Sequence, residues 1–596
     1  MCGIVGYIGK NNVEENLIKD LKLLEYRGYD SAGVAVLSDG IIKETKSVGC
    51  IKNLEEKISA TENATLGIAH TRWATHGSAT ENNAHPHVSN NREWAVVHNG
   101  IIENYAEIKK SLINNGVCFN SETDTEVIVQ MLEFYKSNNP IQTLIRVCNE
   151  LTGSFALAVI NGNKPNTLYL AKRKSPLYVA KTDNEIFVAS DPICFAGKTK
   201  EYYALNDDEF CEVDLNSIEF FNSEFNKISK EKFILEKLTT DIDKANFEHY
   251  MIKEIYETPE VLKRIVKTYA ENDVFNKIDK SIFYNMDKVI FVGCGTAYHA
   301  GLLGVNYIEN FVKIQARCYV ASEFRYSDPI IDNKTLAIFV SQSGETADTL
   351  EALALAKRKG AKTLALTNVL YSSIAKKADY VLPVCAGPEI AVASTKAYTA
   401  QISVLNMFAK YLSNVLRNTD YNYLEDIETL AEAVKLDNVD MLKQLATELS
   451  KETSVMYIGR NMDYITSEEA SLKLKEITYI NTHSHPAGEL KHGFLALVED
   501  GTFVFVLATQ KSLLDKTLNG ASEAASRGAK IVLATQFDCS SKVMNLYKTI
   551  KLKDLKEDLM PMLAIVSFQT LSYFTSVEKG INPDKPRNLA KSVTVE

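Results

Sequence analysis

The sequence predicts an α+β domain followed by two tandem α/β domains, each with a parallel sheet flanked by helices. Residues 1 to about 235 form short β-rich strings separated by Gly, Asn and Asp. From Lys288 onward, apolar strands alternate with longer amphipathic helices, which is the pattern of βαβ units. The second half also repeats itself, and 596 residues allow about three or four domains of roughly 100 to 200 residues each.

The first domain mixes strand-like and helix-like segments. Residues 154–160 and 167–170 have the composition of strands, whereas 16–24 and 124–136 show helical periodicity. Such a mixture predicts helices packed on sheets. The polar stretch that follows has no apolar periodicity, so we place the first domain at 1–238 and a linker at 239–250.

The second half contains two copies of one pattern. Similar apolar strands, and a Gly-Ala-Lys turn that leads into a strand, occur in the same order and at nearly equal separations. Chance similarity between strands would not preserve this order, so we predict two copies of one α/β fold. The matched pairs are 288–293 with 454–459, 337–341 with 505–509, and 360–367 with 528–535. The predicted boundaries are 251–430 for the first copy, 431–580 for the second and 581–596 for a C-terminal tail.

Composition and charge argue against several classes of protein. Hydrophobic residues make up 45% and charged residues 24%, and the net charge of −10 argues against a nucleic-acid-binding protein. The ten cysteines form no CxxC pair, which favours reduced thiols over disulfides or a zinc site. No signal peptide is visible, and apolar strings such as 502–508 are too short to span a membrane. We therefore expect a cytoplasmic protein that binds neither nucleic acid nor membrane.

A cysteine follows the initiator methionine. Removal of Met1 would leave Cys2 with a free amine beside its thiol, and the amine could act as general base for the thiol, as in N-terminal nucleophiles. The ordinary pKa values of the two groups, about 8 and 8.5, suit that proton transfer. A cysteine also occurs at this position by chance, so the interpretation depends on other segments.

Three further segments of the first domain offer parts of a glutamine site. TRWATHG at 71–77 contains a guanidinium that could hold a carboxylate through two hydrogen bonds. HNG at 98–100 offers an amide side chain and an unhindered backbone N–H, the components of an oxyanion hole. SETDTE at 121–126 offers acids for a substrate ammonium, although its Ser and Thr also suit a helix cap. His85 and His87 could suggest a metal, but without nearby Cys or acid partners we interpret them as structural.

An anion site is predicted in the first α/β copy. SQSGET at 341–346 follows a predicted strand and opens a helix at 347–358, so hydroxyls and backbone N–H groups converge at a helix N-terminus. An ordinary capping box is the alternative interpretation. Glu345 should point away from a bound phosphate, and GCGT at 293–296 is not a dinucleotide fingerprint. The second copy has TQKS at 509–512 instead, so we expect only the first copy to bind a sugar phosphate.

Charged residues late in the chain are candidates for the chemistry on the sugar. Glu469, Lys473 and Glu476 are spaced four and three residues apart, so they share one face of a predicted helix. Such a set is commonly a surface ion pair, which is the alternative. AGELKHG at 487–493 adds a histidine, and the C-terminal tail adds Lys591.

The motifs of the first domain resemble those of one enzyme class. CGIVG at 2–6, EYRGYDSAG at 25–33, TRWATHG and HNGIIEN at 98–104 are similar to the glutamine amidotransferases of the N-terminal nucleophile (Ntn) class. Within that class they resemble the isomerizing glutamine–fructose-6-phosphate aminotransferases. The resemblance implies a nucleophile at Cys2, an oxyanion hole at Asn99 and Gly100, and an ammonia-channel gate at Trp73. The residues that it implies for glutamine binding are Arg72, Trp73, Thr75, His76 and Asp124.

The second half resembles a tandem pair of sugar isomerase (SIS) domains, and the tail PRNLAKSVTVE resembles that of the same aminotransferase family. The resemblance implies that Lys591 forms a Schiff base with the open-chain ketose and that His492 assists ring opening. It also implies that Glu476 moves the proton between C1 and C2, with Glu469 and Lys473 beside it. The residues that it implies for sugar-phosphate binding are Thr296, Ser341, Gln342, Ser343, Thr346, Ser394 and Lys473.

The resemblance implies one overall reaction, in which glutamine and fructose 6-phosphate give glutamate and glucosamine 6-phosphate. This is the first step of hexosamine and UDP-N-acetylglucosamine synthesis. The resemblance implies no metal and no organic cofactor, and it implies a homodimer, because the family's sugar site takes its histidine from a second subunit. Two segments depart from the family pattern: Ala297 replaces a serine, which puts one sugar contact in doubt, and 481–486 has no assigned role.

Two other functions remain open at this point. One is a different amidotransferase, such as a phosphoribosyl-pyrophosphate-aminating enzyme or an asparagine synthetase, against which the SIS-like repeat and the Lys591 tail argue. The other is a sugar-phosphate-sensing regulator, against which Cys2 and the glutamine-site segments argue. Formation of product from glutamine and fructose 6-phosphate would distinguish both from the predicted enzyme.

Overall fold

Two stacked antiparallel sheets with helices on both outer sides form the first part of the chain. They are seen in a computed structural model that describes residues 2–74, 76–235, 244–435 and 438–594. The strands are β1 (Gly3–Ile8), β2 (Ser31–Ser38), β3 (Ile41–Val48), β4 (Ala64–Arg72), β5 (His87–Val88), β6 (Trp94–Ile102), β7 (Gly153–Asn161), β8 (Leu168–Arg173), β9 (Tyr178–Lys181), β10 (Ile186–Ala189), β11 (Glu201–Ala204), β12 (Glu209–Val213), β13 (Ile218–Phe221), β14 (Lys227–Ile228) and β15 (Phe233–Ile234). The helices are α1 (Val13–Lys22), α2 (Ile51–Glu55), α3 (Tyr105–Asn114), α4 (Glu126–Phe134) and α5 (Pro140–Glu150).

The two sheets bury one core between them and one under each helical layer. Their strand orders are β15-β11-β9-β10-β1-β4-β2-β3 and β14-β13-β12-β8-β7-β6-β5. Ile68 and Ala158 belong to the core between the sheets. Leu17 of α1 packs on the first sheet, and Leu132 of α4 packs on the second. Because both faces of the sheets are covered, β2 is buried along its whole length.

Local sequence explains where the predicted elements of this part begin and end. The helix expected at 16–24 is α1, which begins after Asn12, whose side chain accepts the Glu15 N–H at 3.1 Å as an N-cap. The helix expected at 124–136 is α4, and the strands expected at 154–160 and 167–170 correspond to β7 and β8. The predicted α+β architecture with packed sheets is confirmed.

Two five-stranded parallel sheets follow. Their strands are β16 (Lys288–Gly293), β17 (Gln315–Val320), β18 (Thr335–Ser341), β19 (Lys362–Thr367), β20 (Tyr380–Pro383), β21 (Ser454–Gly459), β22 (Asn481–Pro486), β23 (Phe503–Leu507), β24 (Lys530–Thr535) and β25 (Leu546–Lys551). The helices are α6 (Tyr250–Tyr256), α7 (Thr258–Glu271), α8 (Ser281–Asn285), α9 (Thr296–Tyr307), α10 (Ala321–Phe324), α11 (Ala347–Arg358), α12 (Ser373–Lys377), α13 (Lys396–Arg417), α14 (Tyr423–Ala433), α15 (Val439–Leu449), α16 (Met462–Thr478), α17 (Leu514–Ala525) and α18 (Met560–Glu578).

The two parallel sheets have the same topology. Their orders are β17-β16-β18-β19-β20 and β22-β21-β23-β24-β25, so in each copy the second strand lies outside the first. The predicted strand pairs coincide, because 288–293 is β16 and 454–459 is β21. One hydrophobic core contains residues of both copies, including Val289 and Val455. The predicted tandem α/β repeat is confirmed.

The described chain divides into two units. One comprises described residues of Met1–Asp243 and Ser592–Glu596, and the other is Lys244–Lys591, less the undescribed 436–437. Of the predicted linker at 239–250, residues 239–243 lie outside the described residues, and α6 begins at Tyr250. Within the described ranges, no helix has both the length and the apolar character needed to cross a membrane.

Candidate active sites

The Cys2 thiol lies beside the end of β4. Gly3 pairs with Thr71, which places Cys2 next to the segment that follows this strand. The Trp73 backbone N–H donates to Cys2 Sγ at 3.2 Å, and the thiol donates to the Trp73 carbonyl oxygen at 3.6 Å. Burial raises the pKa of the Cys2 thiol, while the Trp73 N–H and the Arg72 guanidinium act to lower it. A thiol with a backbone donor of its own is suited to nucleophilic attack once a base takes its proton.

The Asn99 side chain directs its amide nitrogen at Cys2. Asn99 Nδ2 donates to the Cys2 carbonyl oxygen at 2.9 Å. His70 Nε2 lies 3.0 Å from the His98 carbonyl oxygen and 3.1 Å from Asn99 Oδ1. Because a carbonyl oxygen only accepts, His70 Nε2 carries the hydrogen, and the Asn99 atom facing it must be oxygen. Burial lowers the pKa of His70 to about 3, so this ring stays neutral while it orients the amide.

Gly100 occupies a backbone position that excludes side chains. Its φ is +140°, and a Cβ there would lie 2.0 Å from the Ser154 carbonyl oxygen. Asn99 and Gly100 are therefore held as a unit at the middle of β6, with the Asn99 amide at Cys2. This is the arrangement that the HNG segment predicts for an oxyanion hole, and its catalytic role stays a prediction.

Arg72 and Asp124 supply opposite charges close to the thiol. Arg72 donates to three backbone carbonyl oxygens of the loop after β4, that of His76 and those of Gly77 and Ser78 at 3.1 and 3.2 Å. Asp124 Oδ2 accepts the Ile102 N–H at 2.8 Å. Burial lowers the pKa of the Arg72 guanidinium, and Cys2 and Asp124 act to raise it. Fixed charges of opposite sign suit the α-carboxylate and α-ammonium of an amino acid.

Trp73 and His76, two further predicted glutamine-site residues, lie in the same loop. The Trp73 ring packs edge-on against Tyr29, with ring centroids 5.7 Å apart. The His76 ring packs edge-on against Tyr105, at 5.5 Å. Thr75 lies outside the described residues.

Sequence reasoning missed two residues that support this site. Asp30 Oδ2 accepts the Ala74 N–H at 2.9 Å and so holds the loop that carries Trp73. His70 orients Asn99. Signals for both were present, because Asp30 lies inside the EYRGYDSAG motif and His70 directly precedes TRWATHG.

Four buried histidines pack together, and one of them, His70, contacts the Asn99 side chain. The His70 and His85 rings stack with centroids 4.2 Å apart, and those of His85 and His87 are 4.9 Å apart. The His98 N–H donates to His85 Nδ1 at 3.3 Å. Burial lowers the pKa of all four rings. Neutral rings in mutual contact support the interpretation of His85 and His87 as structural.

One cavity of the second unit brings together most of the predicted sugar-site residues. Its volume is about 170 Å³, and it lies at the carboxyl ends of β16 and β18, where the strand order reverses. Parallel α/β sheets bind their ligands at such points. Residues that sequence reasoning missed here include Cys294, Thr349 and Gln401. The predicted residues that line it are Thr296, Ser341, Gln342, Ser343, Thr346, Ser394, Lys473, Glu476 and Lys591.

The loop after β18 is shaped to present hydroxyl and N–H groups. The Gly344 N–H donates to Ser341 Oγ at 3.0 Å. Gly344 has a φ of +67°, and a Cβ there would lie 2.1 Å from the Ser372 hydroxyl oxygen, so this turn requires glycine. Glu345 turns away from the cavity, as predicted, and accepts the Ser373 N–H at 2.8 Å. Since α11 begins directly after the loop, the positive end of the helix dipole favours a phosphate here.

Lys473 is the centre of a buried polar network. Its Nζ donates to Thr296 Oγ1 at 2.9 Å and lies 2.7 Å from Glu476 Oε2 and 3.4 Å from Glu469 Oε1. The missed His299, one turn after Thr296, places Nδ1 2.7 Å from Glu469 Oε2. Although burial acts to lower it, the two carboxylates raise the pKa of the Lys473 ammonium. The side chain of Lys473 is only 1% exposed, so the surface-pair interpretation of this set is wrong.

Lys591 is buried against a carboxylate that sequence reasoning missed. Its Nζ donates to Glu389 Oε2 at 2.5 Å, and the two side chains are 4% and 0% exposed. The tail is held by Asp584, whose carboxylate accepts the Tyr250 and Met251 N–H groups at 2.9 and 2.8 Å. A lysine that sequence alone places in a tail therefore lies at a fixed point of the cavity.

His492 is a predicted sugar-site residue that this cavity does not include. It is exposed, in a short 3₁₀ turn (Leu490–His492), and is not among the described residues that line the cavity. The segment 481–486, which had no assigned role, forms β22 at the edge of its sheet.

In the second copy, the protein itself fills the position that corresponds to the cavity. Gly293 and Gly459 end equivalent strands, so Asp463 is the counterpart of Ala297. Asp463 accepts the Thr509 N–H at 2.8 Å and also the Thr509 hydroxyl. Burial raises the pKa of Asp463 to about 6. An internal carboxyl group occupies this loop, which supports sugar-phosphate binding by the first copy alone.

Comparisons with known proteins agree with the division of the chain into one domain of the first type followed by two α/β copies. A profile of the SIS domain matches residues 282–411 and 448–573, and a profile of the glutamine amidotransferase domain matches 70–196. The chain is 44% identical over 610 positions to glutamine–fructose-6-phosphate aminotransferase (isomerizing) of Caldanaerobacter subterraneus subsp. tengcongensis. It is 42% identical over 610 positions to the protein of that name from Clostridium acetobutylicum, and both alignments cover 100% of each chain.

Solved structures resemble the second half. The C-terminal domain of glucosamine-fructose-6-phosphate aminotransferase from Francisella tularensis superposes with a TM-score of 0.55 at 33% identity, over 58% of this chain and 100% of that one. Tagatose-6-phosphate ketose/aldose isomerase from Escherichia coli superposes with a TM-score of 0.50 at 15% identity, over 58% of this chain and 96% of that one. The second similarity shows the fold alone.

Proposed function

Because the chain belongs to the family of isomerizing glutamine–fructose-6-phosphate aminotransferases, we propose that its two sites divide the family's reaction between Cys2 and Lys591. The reaction transfers the amide nitrogen of glutamine to fructose 6-phosphate, isomerises the product to glucosamine 6-phosphate and releases glutamate. One observation carries the proposal. A single chain combines a cysteine beside an oriented amide with a separate cavity that contains an anion loop and a buried lysine.

In the first site, Cys2 attacks the side-chain amide carbon of glutamine after its proton passes to the amine that removal of Met1 exposes. Asn99 Nδ2 and the Gly100 N–H stabilise the oxyanion. Ammonia leaves, and water then hydrolyses the thioester to glutamate. The glutamine itself is held by Arg72 at its α-carboxylate and by Asp124 at its α-ammonium, with Trp73, Thr75 and His76 around it.

In the second site, the loop at 341–346 holds the phosphate, and Thr296 and Ser394 contact the sugar. Lys591 attacks C2 of the open-chain ketose and forms an imine with loss of water, and ammonia then displaces the lysine at C2 to give the sugar imine. This imine accepts electron density when Glu476 removes the proton from C1, and the proton returns at C2. Lys473 fixes the position of Glu476, to which it is bonded at 2.7 Å. The route needs no metal and no organic cofactor, because the imine itself is the electron acceptor.

The finer organisation is part of the same proposal. We propose a homodimer in which His492 of the partner subunit assists ring opening, since His492 is exposed and does not line the described cavity of its own chain. The ten cysteines are all free thiols, which supports a cytoplasmic location. We also propose the domain boundaries 1–238, 251–430 and 431–580. Each of these domains contains one matched profile, and the proposed tail at 581–596 contains none.

Purified protein should form glucosamine 6-phosphate from glutamine and fructose 6-phosphate. Cys2→Ala should abolish glutamine hydrolysis and leave sugar isomerisation intact, because the two sites use different side chains. Lys591→Ala should have the opposite effect, and borohydride with fructose 6-phosphate should label Lys591 in the wild type. Intact Met1 on active protein, shown by mass spectrometry, would contradict the role of Cys2, and labelling at another lysine would contradict that of Lys591.

A further inference from the structure

The carboxylate of Glu389 faces the reactive nitrogen, and the route described above gives it no role. Its Oε2 is the bonding partner of Lys591 Nζ in the wall of the cavity. Oε2 also accepts the Ser394 hydroxyl at 2.9 Å. Oε1 accepts the Thr395 and Ala397 N–H groups, at 2.9 and 3.0 Å. Both oxygens are therefore fixed by donors, so the carboxylate keeps its position when the lysine moves.

These donors keep Glu389 ionised. The Thr395 and Ala397 N–H groups belong to the N-terminus of α13, where a negative charge is stabilised. Although burial opposes it, the Lys591 ammonium and these backbone donors lower the pKa of Glu389. A buried carboxylate held in this way is suited to remain charged throughout a reaction, as a counter-ion does, and is poorly suited to act as a base.

A second buried carboxyl, Glu254 of α6, lies close to Glu389 but is in a different state. Its Oε1 accepts the Ile390 and Ala391 N–H groups at 2.5 and 3.3 Å, and its Oε2 has no hydrogen-bond partner among the described residues. Burial, together with the charge of Glu389, raises the pKa of Glu254. Two carboxyl groups whose environments shift their pKa values in opposite directions differ in charge and can take different roles. Here Glu389 is the group that stays ionised.

We propose that Glu389 is the counter-ion of the iminium that Lys591 forms with the sugar, an inference that rests on the proposed imine. The balance of protons and charge in the formation of the iminium supports this proposal. The Lys591 ammonium and the C2 carbonyl give an iminium and water, so two ammonium protons leave with the carbonyl oxygen and the third remains on nitrogen. The single positive charge is conserved on the same atom, and the Glu389 carboxylate, whose own charge does not change, stays paired with it.

The protonated imine is the form that the rest of the reaction requires. A positive nitrogen draws electrons from C2, which makes the C1 proton more acidic and C2 more open to attack by ammonia. In a buried site, a carboxylate at contact distance favours the protonated form strongly. The other titratable groups near the pair are Glu254, Lys396, which is bonded to Glu257 at 2.6 Å, and the cavity residues Cys294, Lys473 and Glu476. Among these, Glu389 is the one bonded to the Lys591 nitrogen.

The test compares Glu389→Gln with Glu389→Asp and with Glu254→Gln in the full-length enzyme. Glu389→Gln should lower kcat for isomerisation and for synthesis about 100-fold, as loss of one preorganised electrostatic contact does. The alkaline limb of its rate–pH profile should move down by about one to three pH units, because the iminium loses its proton more readily. Glu389→Asp should recover part of the rate and keep the limb nearer to its wild-type position. Glu254→Gln, which resembles a protonated Glu254, should stay within about threefold of wild type, with an unmoved limb.

Thermal unfolding and near-UV circular dichroism of each variant report whether the second unit, which carries Glu389 and Glu254, is folded, and glutamine hydrolysis reports that the first unit is unchanged. Borohydride trapping of wild type separates this inference from the proposal on which it rests. If wild type is trapped at Lys591 and Glu389→Gln keeps the wild-type rate and pH profile, the counter-ion is refuted and the imine stands. If Glu254→Gln shows the same loss and the same shift as Glu389→Gln, the effect is structural and the inference is also refuted. If wild type is not trapped at Lys591, both the imine and its counter-ion fail.

Discussion

Asn99 owes its orientation to a hydrogen bond that it accepts. The His70 N–H holds Oδ1, and this leaves Nδ2 to face the Cys2 carbonyl oxygen. An amide turned by 180° would present an oxygen to the developing oxyanion and would repel it. The neighbour that fixes the amide is therefore as important to the proposed oxyanion hole as the amide is.

We predict that His70→Leu lowers kcat for glutamine hydrolysis about 100-fold, because one oriented oxyanion donor is lost. KM for glutamine should change little, since Arg72 and Asp124 are unaltered. His70→Gln keeps an N–H donor, so its kcat for glutamine hydrolysis should fall much less. Steady-state release of glutamate measures each effect.

His87→Gln is the matched control, because His87 belongs to the same buried cluster and its Nε2 bonds to the Thr123 hydroxyl, at 3.0 Å, instead of to Asn99. Thermal unfolding and near-UV circular dichroism verify that the first unit, which carries the substitutions, is intact in each variant. Equal loss of kcat in His70→Leu and His70→Gln would show that the ring matters for packing rather than for its N–H.

The two α/β copies share a strand–turn–helix element, in which Ala297 of the first copy corresponds to Asp463 of the second. A Cβ on Gly293 would lie 2.9 Å from backbone carbon of Ala297, and one on Gly459 would lie 2.5 Å from that of Asp463. Both turns therefore need glycine for the close approach of strand and helix. Ala297 lines the cavity of the first copy, whereas Asp463 fills the corresponding position of the second.

We predict that Asp463→Asn changes the pH dependence of the stability of the second copy. Burial raises the pKa of Asp463 from 3.8 to about 6, so the folded protein keeps this proton over a range in which the unfolded chain releases it. Wild-type stability therefore falls as pH rises from about 4 to 6, by about 3 kcal/mol at most for this group. Asn cannot ionise, so the stability of the variant should rise relative to that of wild type as pH increases over this range. Above it, the difference in stability between the two proteins should be constant.

Differential scanning calorimetry between pH 4 and 7 measures this difference in Tm. Asp554→Asn, at an exposed position, is the control and should show no such trend. A difference between Asp463→Asn and wild type that is the same at pH 4 and pH 7 would contradict the buried protonated carboxyl.

The whole molecule keeps its two chemistries in separate units. The glutamine-site residues that the structure describes lie in the first unit, and the residues that line the sugar cavity lie in the second. Each unit has hydrophobic cores of its own, which is the condition for independent folding. Coupling of the two reactions is therefore a property of the joined chain.

We predict that a fragment ending near residue 238 hydrolyses glutamine and makes no amino sugar. A fragment starting at Lys244 should interconvert fructose 6-phosphate and glucose 6-phosphate without using glutamine, because Glu476, His492 and Lys591 are all present. Enzymatic assays of glutamate, glucose 6-phosphate and glucosamine 6-phosphate measure the three activities.

Mixing the two fragments should give hydrolysis and isomerisation but little synthesis, since ammonia released into water is diluted and protonated. A C-terminal fragment that folds and dimerises but neither binds nor isomerises the sugar phosphate would contradict the assignment of the second half. Amino sugar made from glutamine by that fragment alone would contradict the assignment of the first half.

The sequence by itself determined the architecture and most of the residues at each site. Strand and helix periodicity is local, so α11 was predicted at 347–358 and is found at Ala347–Arg358. The ordered repeat likewise predicted two sheets of one topology. Motifs such as TRWATHG and SQSGET placed donors and charges that the fold brings to Cys2 and to one cavity.

Only the tertiary structure decided which neighbours control those residues. Glu389 meets Lys591 across 202 positions of sequence, and His70 orients Asn99 from a different strand. Burial of Lys473, exposure of His492 and the filling of the second copy by Asp463 are likewise results of packing. Periodicity records which face of an element is buried, but a hydrogen bond between distant side chains forms only when folding brings them together, and it leaves no local pattern in the sequence.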